Sequence, residues 1–381
     1  MLHVRQARTL RQPAGASGLT ITDITAEAGK LPAFDDHETV WLGRDDKHGL
    51  TAIVAIHDTT LGPALGGTRI WPHASFEAAL ADTLRLSRGM TYKAAVASLP
   101  LGGGKAVIMA DPKTGKTAAL LTAYSKMLAA LNGQFITGED VGLTLADADF
   151  LRARTPNVTG TTQGGSGNPS PVTAEGVYLG IQAAVKHRLG TDDLAGRRVA
   201  VQGLGAVGFA LCEKLHRAGA ALTVADIDAA RMERTCRLFG AMALTPEEIL
   251  SAEVDIFAPC ALGGVLSEET IPLLKARIVA GSANNQLATY ADARILMERG
   301  ILYAPDYVIN AGGLINVAGE LAPGGYDPAA ALSRVAAIPA VLADIFRRAE
   351  AERRPTNDIA AEIALQRLEA AASRPRAHFR P

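Results

Sequence analysis

The sequence predicts an α/β protein of two domains, and three observations carry that prediction. Apolar runs of strand length alternate with segments of helical periodicity through most of the chain. One run, Arg198-Val199-Ala200-Val201-Gln202, leads straight into Gly203-x-Gly205-x-x-Gly208, which opens a helix. Between the two halves, residues 159–171 are dominated by Gly, Ser, Thr, Asn and Pro, the composition of a hinge. A first domain over 1–160 and a doubly wound nucleotide domain over 161–345 follow.

Composition narrows the function classes. The 381 residues suffice for two domains of ordinary size. With 48% hydrophobic and 20% charged residues and a formal net charge of −1, neither a nucleic-acid nor a membrane partner is implied. No apolar run approaches the roughly 20 residues that span a bilayer. Arg5, Arg8 and Arg11 precede no apolar signal segment, so about the first 15 residues read as a weakly ordered tail. Cys212, Cys236 and Cys260 are an odd count without metal-ligand spacing; they suit a reducing cytoplasm, and no metal site is expected.

In the first domain, residues 39–57 hold two strand-like runs, the clearer being the β-branched stretch 50–57. Gly62 to Gly67 reads as a turn with exposed backbone. Ser75 caps a helix through Ala78, Leu80, Leu84 and Leu86 that delivers Lys93. Residues 106–110 are a buried strand, 117–131 an amphipathic helix, and 135–142 a short strand running into a loop tipped by a carboxylate. Lys105 follows three glycines, Gly102 to Gly104, and lies 12 residues after Lys93. Three consecutive glycines are costly to order and make sense where the backbone passes close to something. Lys105 is therefore expected at the entrance of the 106–110 strand. Burial and a second ammonium both disfavour a lysine's charged form and can turn it into a base. A Gly-rich turn with two solvated lysines is the plainer alternative that these residues alone leave open.

The second domain begins with a helix at Thr173. After the glycine motif, strand 222–225 ends in Asp226, 23 residues beyond Gly203, close to the distance at which a dinucleotide fold places the acid that holds the adenosine ribose. The glycines give a tight turn and let a pyrophosphate reach the helix N-terminus. Asp226 would repel a 2′-phosphate, which favours NAD over NADP. Strands at 254–260, 277–281 and 301–304 end in polar residues, where open α/β sheets bind ligands. Asp327-Pro328 starts a long Ala-rich helix expected to kink at Pro339, and a last helix covers about 357–372. The charged run 347–354 reads as a solvated helix face.

From about residue 40 to 370 the chain resembles the glutamate/leucine/phenylalanine/valine amino-acid dehydrogenases. The resemblance rests on GPALGGTR, GMTYK, LPLGGGK, GEDVG, SGNPSPVTAEGV, VQGLGAVG, DIFAPCALGG, AGSANNQL and YAPDYVINAGGLINVA. It implies NAD-dependent, reversible oxidative deamination of an L-amino acid to a 2-oxoacid and ammonia. It also implies an N-terminal α/β substrate domain, a Rossmann-type NAD domain with a cleft between them, a C-terminal segment (346–381) returning to the first domain, and a homo-oligomer, dimer or octamer. Lys105 is similar to the family's catalytic lysine, Asp140 to the carboxylate that exchanges a proton with the substrate nitrogen, and Lys93 to the lysine that pairs with the substrate carboxylate. Gly66 and Gly67 match the backbone pair against the substrate. Thr173, Cys260, Ala261, Asn284 and Asn285 match positions lining nicotinamide and substrate, with the division of labour between the two asparagines left open. Gly203, Gly205, Ala206, Val207, Gly208, Asp226 and Ile227 complete the cofactor set.

The resemblance also bears on the substrate. Glutamate-specific members carry a lysine where this chain has Leu65, so an apolar substrate is implied. Gly138 and Leu314, with Val317 one turn on, resemble the phenylalanine dehydrogenases, whereas leucine dehydrogenases tend to have alanine and valine at the first two. Phenylalanine is therefore expected first, with leucine or another branched-chain amino acid as the alternative. A PLP enzyme would not need the dinucleotide motif, and a 2-hydroxyacid dehydrogenase would need a His-centred motif that is not found. A non-catalytic NAD-binding regulator is allowed by fold alone, but Lys93, Lys105 and Asp140 argue against it.

Overall fold

A computed structural model describes residues 18–373; the expected N-terminal tail lies outside them. The chain divides into two compact units: the described part of Met1–Asn168 with Glu320–Tyr326 and Leu365–Pro381, and Pro169–Gly319 with Asp327–Ala364.

The first unit is built on strands β1 (Thr20–Asp23), β2 (Thr39–Asp45), β3 (Leu50–Asp58), β4 (Ala64–Leu65), β5 (Thr68–Ile70), β6 (Gly102–Ile108) and β7 (Phe135–Ile136). Their order is β1-β2-β3-β6-β4-β7, with β5 also on β6. The β1 to β3 and β3–β6 pairings are antiparallel, whereas β4, β5 and β7 join in parallel. Side chains alternate as a sheet covered on both faces requires. Ile53, Ala55 and Val107 pack with Leu80 and Leu84 of helix Phe76–Val96. Val54, Ile56, Ala106 and Ile108 pack with Tyr124, Met127 and Leu128 of helix Ala118–Ala130. Each Val, Leu, Ile or Met among these taken from water contributes about 1.5–3 kcal/mol. Ser75 caps the first helix by accepting from Ala78 N at 3.1 Å, and Thr117 caps the second by accepting from Leu120 N at 3.1 Å.

Two expectations need correction here. The glycine triplet is not a turn ahead of a strand: Gly102, Gly103 and Gly104 are themselves in β6, and Lys105 is a mid-strand residue. A Cβ on Gly102 would lie 2.2 Å from Asp58 O, on Gly103 2.1 Å from Thr91 N, and on Gly104 2.7 Å from the Phe135 ring. The glycines are there because a helix and neighbouring strands press onto the strand backbone. Likewise Ala64 and Leu65 are not exposed turn but a buried strand between β6 and β7.

Helix Phe76–Val96 rests on two buried histidines. His37 Nε2 lies 3.1 Å from Leu84 O and 3.0 Å from Ser87 Oγ, while its Nδ1 accepts from Asp35 N at 3.2 Å. That arrangement suits only the neutral ring. His57 Nδ1 is 2.9 Å from Thr91 Oγ1, and the two rings meet edge-on at 4.8 Å. Burial, with His57 close by, holds His37 down to about 4; burial also lowers His57, against the pull of Asp35. Folded-state values below the unfolded 6.5 mean that the stability these neutral rings contribute is full above 6.5 and is lost as pH falls toward 4. His37 alone is worth on the order of 3 kcal/mol. The melting temperature is expected to fall by several degrees between about pH 7.5 and pH 5. A flat profile over that range would contradict it.

The second unit holds a wholly parallel sheet of β8 (Arg198–Gln202), β9 (Ala221–Ala225), β10 (Met242–Ala243), β11 (Ile256–Pro259), β12 (Ile278–Val279) and β13 (Leu302–Tyr303), in the order β10-β9-β8-β11-β12-β13. After β8 the chain builds outward to β10, then returns to β11 beside β8. The order thus reverses between β8 and β11, the switch point at which such sheets bind nucleotides. Helix Ser170–Leu189 starts one turn before Thr173, with Pro171 in the first turn where no N–H is needed.

Pro339 does not kink one long helix. Pro328–Val335 and Ile338–Glu352 are separate, and Pro339 sits in the first turn of the second. By length and composition alone Pro328–Glu352 is long and apolar enough to cross a membrane, although Arg334 and Asp344 interrupt its apolar run. The break divides it, however, and its second half packs on helix Ser170–Leu189. A Cβ on Gly176 would lie 2.8 Å from Ile338, one on Gly180 3.0 Å from Leu342, and the Phe346 and His187 rings meet at 5.4 Å. This packing keeps residues up to Ala364 with the second unit, rather than only to 345. The end of helix Thr356–Ala372 falls in the first, where Arg367 donates to Ala95 O at 2.7 Å.

Candidate active site

In the first unit the centre is an ion pair. Lys105 alternates with Gly104 and Ala106 along β6, so it shares the face of Gly103 and Val107, the face that helix Phe76–Val96 covers. Its Nζ donates to Asp140 Oδ2, and both side chains are nearly excluded from solvent. What the structure sets against Lys105 is thus a carboxylate. Asp140 Oδ1 accepts from Val141 N at 2.6 Å and lies 3.7 Å from Arg69 Nη2. Burial alone would raise the Asp140 carboxyl. Lys105, Arg69 and the Val141 N–H outweigh it and hold the group below the usual carboxylate range. Asp140 is therefore an anion at neutral pH, in contact with a cation and shielded from water.

The loop carrying Asp140 is locked to the sheet. Thr68 N donates to Gly138 O at 3.1 Å and Ile70 N to Val141 O at 2.8 Å. Below it, the Thr68 hydroxyl bridges Tyr124 and Thr137, each at 2.6 Å. Gly66 and Gly67 pass between these elements. A Cβ on Gly66 would lie 1.8 Å from Gly104 O and 3.4 Å from Met90 of the Lys93 helix; one on Gly67 would lie 2.6 Å from Glu139 O and 2.9 Å from Asp140 Cβ. Lys93 is half-buried in the last turn of that helix. Leu65 is buried and paired with Gly103 and Ile136. Gly138 is half-buried, and a Cβ there would meet Thr159 O at 3.3 Å and its hydroxyl at 3.4 Å.

In the second unit the predicted cofactor residues gather at the carboxyl ends of β8, β9, β11 and β12. Each glycine of the motif has a separate reason. Gly203 has φ 96° and would carry its Cβ 2.7 Å from Ala261, and on Gly208 a Cβ would strike Gly203 O at 2.0 Å. Gly205, which opens helix Ala206–Arg217, has nothing within 4 Å. That free approach to the backbone at the start of the helix, followed by Ala206 and Val207, fits a pyrophosphate. Asp226 Oδ2 accepts from Leu204 N at 2.6 Å and so ties the end of β9 to the glycine turn. Ile227 beside it is 95% exposed, an apolar face of the kind a base ring covers.

Across the switch point, the Cys260 thiol is pushed up by burial, with Ser282 hydrogen-bonded against that shift. The exposed Ala261 begins a loop folded on Asn284 and Asn285, where a Cβ on Gly263 would lie 2.7 Å from Asn284 O. Asn284 Oδ1 accepts from Asn310 Nδ2 at 2.8 Å, and Asn285 is left-handed at φ 51°. Thr173 donates to Pro169 O at 3.0 Å and packs on helix Gly312–Ala318, where Gly313 would place a Cβ 2.7 Å from its hydroxyl. On that helix Leu314 is buried and Val317 half-buried.

Arg69 escaped the reading of the sequence, although it directly follows the glycine pair and Thr68. With it come Asp82, 3.1 Å from Arg69 Nη1, and His73, 3.6 Å from Asp82. The sequence signal was the arginine itself, two places beyond Gly67; its partner lies 71 residues further along the chain.

Two family models match the chain: "Glu/Leu/Phe/Val dehydrogenase, dimerisation domain" over residues 38–157, and "Glutamate/Leucine/Phenylalanine/Valine dehydrogenase" over 164–372. Among curated relatives, leucine dehydrogenase of Geobacillus stearothermophilus is 51% identical over 336 residues, 88% of this chain and 91% of its own length. Phenylalanine dehydrogenase of Lysinibacillus sphaericus is 47% identical over 293 residues, 75% and 77% of the two lengths. The crystal structure of L-tryptophan dehydrogenase from Nostoc punctiforme superposes with a TM-score of 0.76 at 50% identity, covering 88% of this chain and 97% of that one.

Proposed function

The chain belongs to the glutamate/leucine/phenylalanine/valine dehydrogenase family, and from that premise we propose that it catalyses NAD-dependent oxidative deamination of an apolar L-amino acid, with leucine ahead of phenylalanine. The Lys105–Asp140 pair, held on a glycine-lined buried strand, is the observation that carries the chemistry. The order of substrates departs from the sequence expectation. Leucine dehydrogenases are 51% identical over most of the chain, whereas the phenylalanine enzyme matches less of it. The glycine at 138 also loses its force as a sign of room for a ring, because a methyl there would press on Thr159.

In the proposed reaction Lys93 fixes the substrate carboxylate, while Gly66 and Gly67, lacking Cβ atoms, let Gly104 and the Asp140 loop pack close on either side. Asp140, an anion, takes a proton from the α-ammonium. NAD, when bound, supplies the acceptor for the two electrons and hydrogen that leave Cα. Lys105, as the free amine, takes the proton of the water that attacks the iminium carbon. Asp140 returns its proton to the nitrogen; as the carbon–nitrogen bond breaks, the hydroxyl proton of the carbinolamine passes to the freed Asp140 carboxylate, ammonia leaves, the 2-oxoacid remains, and Lys105 and Asp140 release their protons with the products. Leu65 offers no cation to a side-chain carboxylate, so glutamate is rejected. Asp226 and the open Gly205 turn support NAD over NADP. The dimerisation description of the first family model supports a homo-oligomer, and three unpaired cysteines support a cytoplasmic location.

The test is a ranking of kcat/KM for L-leucine, L-tryptophan and L-phenylalanine with NAD. Leucine is expected to lead by a factor on the order of ten, the discrimination that a few methylenes in an apolar pocket provide. Phenylalanine in first place would restore the original expectation.

A further inference from the structure

We propose that Arg69 is a positioning residue for the proton-transfer carboxylate, held for that task by Asp82; this rests on the dehydrogenase reading above. Arg69 lies between Thr68 and Ile70, the two residues whose N–H groups bond the loop of Asp140 at Gly138 O and Val141 O. Its backbone is therefore fixed relative to Asp140 from both sides. Its guanidinium reaches two carboxylates at once: Nη2 is 3.7 Å from Asp140 Oδ1, and Nη1 is 3.1 Å from Asp82 Oδ2. A planar fork can hold two such partners in fixed directions, which a lysine cannot. The result is a division of the Asp140 carboxylate. Oδ1 faces Arg69 and the Val141 N–H, and Oδ2 is left to Lys105.

Other groups bear on the same carboxylate and on Arg69. Lys105 faces Asp140 from β6, and Glu139 lies beside it on its own loop, its carboxyl raised by burial and by Asp140. Asp82 comes from helix Phe76–Val96, and His73 Nε2 lies 3.6 Å from the same Oδ2 that Arg69 reaches. Removing the arginine leaves Asp140 with one cation fewer, so its protonated form is reached at higher pH.

The variants Arg69→Gln and Asp82→Asn test this. In Arg69→Gln, kcat is expected to fall about ten-fold or more, with KM for the amino acid within about threefold, and the acid limb of the kcat/KM profile should move up by about one pH unit. Asp82→Asn keeps the arginine and removes only its far anchor. It should lower kcat several-fold with the acid limb nearly in place, and it remains a test if Arg69→Gln fails to fold. An active wild type whose profile superimposes on that of Arg69→Gln, or an Asp82→Asn enzyme with unchanged kcat, overturns the role of Arg69 and leaves the dehydrogenase reading standing. A wild type that oxidises no apolar amino acid overturns both.

Discussion

Replacing Lys105 with alanine is expected to lower kcat by about a hundred- to ten-thousand-fold while NADH still binds. The loss is large because the group lost is the one that takes the proton of the attacking water. β6 places Lys105 as the residue bonded to Asp140 Oδ2, whereas Arg69 reaches only Oδ1, and a guanidinium has no acceptor with which to take a proton. The variant also leaves Asp140 buried with a weaker counter-charge, so its carboxyl rises and less of it is anionic near neutrality. NADH binding, which we propose rests on Gly203, Gly205, Gly208 and Asp226 of the second unit, should be unaffected. Stopped-flow turnover and NADH fluorescence titration measure the two quantities. A kcat within about threefold of wild type, less than 1 kcal/mol of barrier, would remove Lys105 from the mechanism.

Gly103→Ala is expected to cost about 3 kcal/mol or more of stability, a large effect for one methyl group. The added carbon would sit 2.1 Å from Thr91 N and 2.2 Å from Thr91 Oγ1, inside helix Phe76–Val96. Backbone cannot yield as a flexible side chain does, so helix and strand must separate. That opens the layer in which Leu80 and Leu84 meet Ile53, Ala55 and Val107. It also disturbs the contact of His57 with Thr91 and moves Lys93, two residues on. Urea unfolding measures the loss. A midpoint indistinguishable from wild type would mean that the strand and helix do not pack as described.

The parts legible in the sequence are those whose causes are local. Gly203, Gly205 and Gly208 act within one turn, and Asp226 ends the next strand, so their grouping could be read from spacing. Ser75, Thr117 and Asp327 announce helices because a cap bonds residues two or three places away. The glycines of β6 were misplaced because their reasons are distant: Asp58, Thr91 and Phe135 all press on them from other elements. The partner of Lys105 was missed in the same way, since Asp140 is 35 residues off and reaches it only through β5 and its loop. Substrate preference is the least legible feature. It depends on single methyl groups at positions such as Gly138, where packing on Thr159 explains the residue equally well.

The most direct measurement of the central claim is NADH formation from L-leucine and from L-glutamate, each with NAD, by the purified wild-type protein. The account predicts steady NADH production with leucine and a kcat/KM for glutamate lower by about four orders of magnitude, the scale on which a buried unpaired charge is rejected. Equal or faster turnover of glutamate, or no NADH from any apolar amino acid, would contradict it.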